Sequence, residues 1–209
     1  MAEHIIKKIE GDELPLVEDF YTVQGEGYHT GKAAYFIRIG GCDVGCSWCD
    51  TRFSWNSSLH KMTPTSEIIR KVVDSGADSV VITGGEPLMW NLDLLCKGLK
   101  EKNIKIFLET SGAYLLSGEW DWICLSPKRN MPPVPPICEM AHELKVIVYD
   151  LADFEWAEDY RQRVGEKCLL FLQPEWSRYE EIIPEIVEYV KKNTRWMISL
   201  QAHKFMKIP

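Results

Sequence analysis

Residues 33–50 read AAYFIRIGGCDVGCSWCD. The first seven, Ala33–Ile39, are apolar or aromatic except for Arg38, which predicts a strand. Gly40-Gly41 ends it, and Cys42, Cys46 and Cys49 follow at once in the spacing C-x3-C-x2-C. A strand that leaves through a Gly-Gly turn into reactive side chains is how α/β folds present a site, at the carboxyl end of a parallel strand.

The same order recurs outward from this stretch. Ser79–Thr83 (SVVIT) predicts a short buried strand leaving through Gly84-Gly85-Glu86-Pro87. Ile104–Glu109, Trp120–Leu125, Glu143–Val148, Cys168–Leu172 and Trp196–Leu200 predict further strands, seven in all. Over Thr65–Asp74, Ile68, Ile69, Val72 and Val73 have helical spacing, with Thr65 or Ser66 as the cap. Leu92–Lys102, Ala152–Arg163 and Tyr179–Lys192 predict other helices. Strands alternating with helices imply a parallel sheet covered by helices. Seven strands with few full helices fall short of a closed eight-fold barrel, so the expected fold is α/β, a partial, open (β/α) barrel. Residues 113–120 leave no room for a crossover helix, and Lys128–Pro136 (KRNMPPVPP) reads as an irregular loop.

The bulk numbers narrow the function. A chain of 209 residues suits a single domain over 1–209, and 45% hydrophobic content with eight tryptophans supplies a core. There is no apolar run long enough for a membrane span, and Met1–Lys8 lacks an apolar signal region, so the expected location is cytoplasmic. A net charge of -7 argues against nucleic acid as partner, since phosphate contacts need clustered Lys and Arg. The basic pairs Lys7-Lys8 and Lys191-Lys192 read as solvated faces.

Of seven cysteines, three lie within eight residues, which points to metal binding rather than disulfides. Thiolates are the usual ligands of iron–sulfur clusters, and three on one loop can hold three irons of a four-iron cube, leaving the fourth open. A zinc knuckle or unpaired buried cysteines are the other uses of such a triplet. A closed zinc site normally takes four protein ligands, and His60 is the nearest histidine downstream. Cys96, Cys124, Cys138 and Cys168 read as small buried residues.

The triplet, with Gly84-Gly85-Glu86-Pro87 downstream, resembles the radical SAM superfamily, named for S-adenosylmethionine (SAM). The resemblance implies a [4Fe–4S] cluster on Cys42, Cys46 and Cys49, with the SAM amino and carboxylate groups on the open iron. One electron then cleaves a carbon–sulfur bond to give a 5′-deoxyadenosyl radical. Glu86 would accept from the SAM amine beside Gly85, as a charge-assisted bond allows. Later strand ends are implied SAM contacts: Glu109, Ser126-Pro127-Lys128 and Gln173-Pro174-Glu175-Trp176, with Trp48 and Asp50 from the cluster loop. Ordinary turn chemistry is the alternative for each of them.

Further features narrow the resemblance: Tyr21–Gly27 (YTVQGEG), Arg38 four residues before Cys42, Asp50-Thr51 after Cys49, and Ser199–His203 (SLQAH) with Ile208-Pro209. Together these resemble the 7-carboxy-7-deazaguanine synthases. Membership would imply a lyase that turns 6-carboxy-5,6,7,8-tetrahydropterin into 7-carboxy-7-deazaguanine with loss of ammonia, on the route to queuosine. It also implies Mg²⁺, SAM that is regenerated, a homodimer, a shortened radical SAM barrel, and a flavodoxin or ferredoxin as reductant. The implied substrate contacts are Val23, Gln24, Gly25, Glu26, Arg38, Thr83, His203 and Pro209, the last through a terminal carboxylate. Thr51 is the implied Mg²⁺ ligand. The planar fork of Arg38 suits a substrate carboxylate. Two rival readings stand: a radical SAM enzyme that activates a partner protein, and an iron–sulfur electron carrier. The first should lack the Gln24–Gly27 and His203–Pro209 features, and the second would not need the GGEP turn.

Overall fold

The computed structural model describes residues 11–209, so the readings of Met1–Lys8 lie outside the described residues. One nine-stranded sheet runs through the chain in the order β3-β1-β2-β4-β5-β6-β7-β8-β9. The strands are β1 Glu13–Val23, β2 Ala33–Ile39, β3 Lys61–Pro64, β4 Ser79–Gly84, β5 Lys105–Thr110, β6 Trp122–Leu125, β7 Glu143–Val148, β8 Leu169–Pro174 and β9 Trp196–Ile198. From β2 through β9 every neighbouring pair is parallel. The seven strands expected from sequence are the seven of this parallel run. Apart from β3, which lies outside β1, the strand order follows the chain, and the sheet is open between β3 and β9, as expected of a partial (β/α) barrel.

Helices fill the crossovers: α1 Thr65–Ser75, α2 Asp93–Lys100, α3 Pro135–Met140, α4 Ala152–Arg161 and α5 Tyr179–Lys192, with α6 Ala202–Met206 after β9. No helix separates β5 from β6, as the short 113–120 segment required. Among the described residues no helix is long and apolar enough to cross a membrane.

Three local readings need correction. The Pro-rich stretch is not irregular throughout, because α3 begins at Pro135 with prolines in its first turn. Proline is tolerated there, since the first N–H groups of a helix have no partner within it. Neither Thr65 nor Ser66 caps α1; Pro64 holds the cap position, and the Thr65 hydroxyl donates to the Gly11 carbonyl at 2.6 Å. The antiparallel strands β1 and β3 were not read as strands. Pro15 interrupts β1 and Pro64 ends the four-residue β3, and β1 carries a register shift between Leu16 and Glu18.

Strand alternation positions the site. Successive side chains point to opposite faces. Ile37, Ile82, Leu108, Leu125, Leu144, Val146 and Leu172 join the core under the helices. The intervening Arg38, Thr83, Glu109, Lys145 and Gln173 line a cavity on the opposite face. A core strand with a polar residue at every second position is therefore a strand whose inner face is not merely packed.

Candidate active site

The cluster loop is held by backbone bonds on both sides. Gly41 N–H donates to Ser54 O at 2.7 Å, and Cys42 N–H to Trp55 O at 3.0 Å. The GGEP turn docks on the same loop: Gly85 N–H donates to Ile39 O at 2.9 Å and Glu86 N–H to Gly41 O at 2.8 Å. This contact is the reason for the glycines. A Cβ on Gly84 would lie 2.0 Å from Ile39 O, and one on Gly85 2.3 Å from Gly41 O. The two motifs that carried the sequence resemblance thus touch through backbone.

Cys42, Cys46 and Cys49 all line the cavity and are half-buried, with free thiols. Trp55 Nε1 donates to Cys49 Sγ at 3.3 Å. Burial pushes the Cys42 thiol up to about 11. Such thiols become thiolates when a metal takes their charge. Cys96, Cys124, Cys138 and Cys168 are buried and lie off the cavity wall, so the donor set on the wall is three sulfurs. Among the described residues no three His, Cys, Asp or Glu side chains converge on a point that a single ion could occupy. A four-iron cube instead takes each thiolate on a separate iron, and its fourth iron can bind a small molecule. The donor set fits the cluster.

Glu86 lines the cavity and also serves the fold. Its carboxylate is buried and accepts from Leu88 N at 3.1 Å, Thr110 Oγ1 at 2.6 Å, Ser111 N at 2.8 Å and Ser111 Oγ at 2.5 Å. A carboxylate has about four lone-pair sites, and these donors hold it in place. Glu86 fastens the exit of β4 to the exit of β5. Glu175 is similarly engaged, accepting from Ser177 N at 3.1 Å and Ser177 Oγ at 2.5 Å.

The Gln24–Gly27 loop closes one side. Glu26 N–H donates to Gln24 Oε1 at 3.1 Å, Gly27 N–H to Ser199 Oγ at 2.9 Å, and Ala202 N–H to Gly25 O at 2.8 Å. A Cβ on Gly25 would meet His203 Nδ1 at 2.4 Å, so the loop and the C-terminal segment require each other's shape. Burial lowers His203, although Glu26 opposes this.

Four charged centres organise the floor and mouth. Lys145 Nζ bonds Glu26 Oε2 at 2.6 Å and Glu109 Oε2 at 2.9 Å. Burial alone would raise the Glu26 carboxyl, but the Lys145 charge and hydrogen bond, with Gln201, hold it down at about 2. Lys128 lies over the Trp48 ring at 5.6 Å and donates to Ser126 O and Oγ at 2.6 Å; burial lowers it, while Cys46 opposes this. Arg38 donates through Nε to Glu18 at 2.7 Å, and among the described residues its terminal nitrogens have no partner. At the mouth Lys204 pairs with Asp50 at 2.8 Å and lies 5.0 Å from the Trp176 ring centroid.

Of the residues singled out from sequence, all line this one cavity except Pro127. Val23, Gln24, Gly25, Glu26, Thr83, His203 and Pro209 meet Cys42, Cys46, Cys49 and Thr51 there. Asp50, Trp48, Gly85, Ser126, Lys128, Gln173, Pro174 and Trp176 complete the wall. Sequence reading missed Lys145, Gln201 and Lys204 as site residues, together with Phe20 and Phe36, which stack at 5.6 Å. The signal for Lys145 was present: a lysine amid ELKVIV, in a strand that reads as buried, needs partners.

Comparison with known proteins agrees with this geometry. The radical SAM superfamily profile matches residues 36–124. A 7-carboxy-7-deazaguanine synthase from Flavobacterium psychrophilum is 55% identical over 199 residues, covering 95% of this chain and 94% of its own. One from Synechocystis is 43% identical, covering 93% of each. The crystal structure of QueE from Escherichia coli superposes with a TM-score of 0.81 at 29% identity, covering 91% of this chain and 95% of that one. With similarity of this degree over nearly its whole length, the chain belongs to the 7-carboxy-7-deazaguanine synthase family of radical SAM enzymes.

Proposed function

We propose that this enzyme converts 6-carboxy-5,6,7,8-tetrahydropterin into 7-carboxy-7-deazaguanine with release of ammonia. The observation that carries the reading is the meeting, in one cavity, of the thiol triplet, the GGEP turn, Arg38, the Gln24–Gly27 loop and the C-terminal segment. The thiols of Cys42, Cys46 and Cys49 would hold the [4Fe–4S] cluster, which with SAM supplies a carbon-centred radical that starts the rearrangement.

The chain's own residues bind, orient and shield. Glu18 fixes Arg38 through Nε, so the terminal nitrogens form a fork for the substrate carboxylate. Glu86, with Gly85 beside it on the cavity wall, would take the SAM amine, its carboxylate held in place by Thr110 and Ser111. Ser126 with Lys128, and Gln173 through Trp176, form the wall along which the rest of SAM would lie. Thr51 lines the cavity with its hydroxyl 3.5 Å from Cys49 Sγ, placed to offer Mg²⁺ a hard oxygen ligand. Trp176 on the cavity wall packs against Tyr179 and Phe205, which fixes its ring beside Lys204. The proposal extends to a homodimer reduced by a flavodoxin or ferredoxin, on the strength of the family resemblance.

Anaerobic reconstitution followed by SAM and dithionite tests the radical SAM part. The reduced-cluster electron paramagnetic resonance spectrum should change on SAM addition, and 5′-deoxyadenosine should form. An electron carrier would give neither result.

A further inference from the structure

Lys145 sits in the middle of β7 with its side chain 4% exposed, yet it lines the cavity floor. A buried ammonium is costly unless paired, and one carboxylate would suffice to pair it. Here two converge on it from distant parts of the chain, Glu26 from the loop after β1 and Glu109 from the end of β5. Both carboxylates also face the cavity. Each has a further fixed contact: Gln201 Nε2 donates to Glu26 Oε1 at 2.9 Å, and Gln24 Nε2 lies 3.5 Å from Glu109 Oε1.

We propose that Lys145 is a positioning residue that holds Glu26 and Glu109 as a pair of acceptors, and that through this pair the site selects a ring edge presenting adjacent N–H donors. This rests on the pterin reading, because a 2-amino-4-oxo pyrimidine offers such an edge. Without the lysine, two carboxylates would share a floor of low polarity, and like charges there do not both stay ionised. A protonated member would present an O–H toward the substrate's N–H groups, and the match would be lost.

The other titratable or charged groups around the pair and its lysine are Glu143 on β7, Cys124 on β6, His203 on α6 and Lys128, which is turned to Ser126 at 2.6 Å. Glu143 is raised by burial and is bonded away from the cavity, to Tyr28 N at 3.1 Å and Trp122 Nε1 at 3.0 Å. Cys124 is raised well above its ordinary value by burial and stays a thiol. Lys145 is therefore the cation that faces both acceptors at hydrogen-bonding distance.

The test measures the dissociation constant of 6-carboxytetrahydropterin on the reconstituted, SAM-bound enzyme across pH. Wild type should bind evenly from about pH 6 to about pH 9, whereas Lys145→Met should bind about tenfold more weakly at the acidic end and recover as pH rises. Lys145→Arg should restore most of the affinity. A loss in Lys145→Met that is equal at every pH, or no loss, overturns the proposal. Should Lys145→Met fail to fold, Lys145→Met with Glu109→Gln removes opposite charges together, and wild-type affinity in that double variant overturns it as well. If wild type binds no pterin at any pH, the proposed function fails, and carbon-13 spectra of glutamate carboxyls in the full chain decide the role of Lys145. A Glu26 or Glu109 carboxyl that titrates near neutrality only when Lys145 is replaced supports the role; no new titration overturns it.

Discussion

Glu86 and Ser111 are joined twice, by the Ser111 backbone N–H at 2.8 Å and its hydroxyl at 2.5 Å, both to Oε2 of the carboxylate. With Thr110 on Oε1, this clasp ties the second sequence motif to the neighbouring strand end. A glutamate that the family resemblance assigns to SAM is thus also an internal support. Its removal should be felt without any cofactor present. Glu86→Ala leaves buried donors on Thr110 and Ser111 unsatisfied, at about 1–3 kcal/mol each. Urea unfolding of the cluster-free chain should show that loss, and an unchanged midpoint would return Glu86 to a purely ligand-binding role.

Gly25 and Gly85 should fail in different ways. A Cβ at Gly25 meets His203, so Gly25→Ala should weaken substrate binding while the brown cluster absorbance after reconstitution persists. A Cβ at Gly85 meets Gly41 O and the Cys42 Cβ at 2.7 Å, so Gly85→Ala should lower iron content per chain. Iron analysis and substrate titration on both variants check the contrast.

Arg38 should govern affinity for the substrate carboxylate. Losing one partner of a desolvated charge pair costs about 2–5 kcal/mol, so Arg38→Ala should raise KM steeply with cluster and SAM binding intact. Arg38→Lys should recover little, because an ammonium cannot present the fork that Glu18 orients. A normal KM in Arg38→Ala would place the carboxylate elsewhere.

Acid should loosen the fold through His29. Its ring stacks on Phe107 at 4.2 Å, and among the described residues Nε2 has no partner. Burial, then Lys32 and Lys105, pull it from 6.5 to about 4. The unfolded chain therefore binds the proton first, so stability falls as pH drops from 6.5 toward about 4. Glu26 adds a lower limb, since its contribution is complete above 4.5 and is lost as pH falls toward about 2. His29→Phe should flatten the upper limb and leave the lower one, as read by urea midpoints across pH.

Much of this was legible in the chain. The parallel strands announce themselves because buried strands are short apolar runs ended by Gly or polar turns, as SVVITGGEP is. β1 did not, because Pro15, Glu18 and Asp19 interrupt a strand that is half-buried along most of its length. α3 was hidden by the prolines that start it. The site's outline was legible because its cysteines, glycines and Arg38 lie in local motifs. Lys145 was not assigned to it, because its meaning comes from Glu26 and Glu109, which are 119 and 36 residues away.

The most direct measurement is the product itself. Reconstituted enzyme, SAM, reductant, Mg²⁺ and 6-carboxytetrahydropterin are incubated without oxygen, and the mixture is followed by mass spectrometry and ammonia release. The account predicts 7-carboxy-7-deazaguanine and ammonia in equal amounts, many per SAM molecule consumed. Formation of 5′-deoxyadenosine at the same rate with or without the pterin, and no deazapurine, would contradict it.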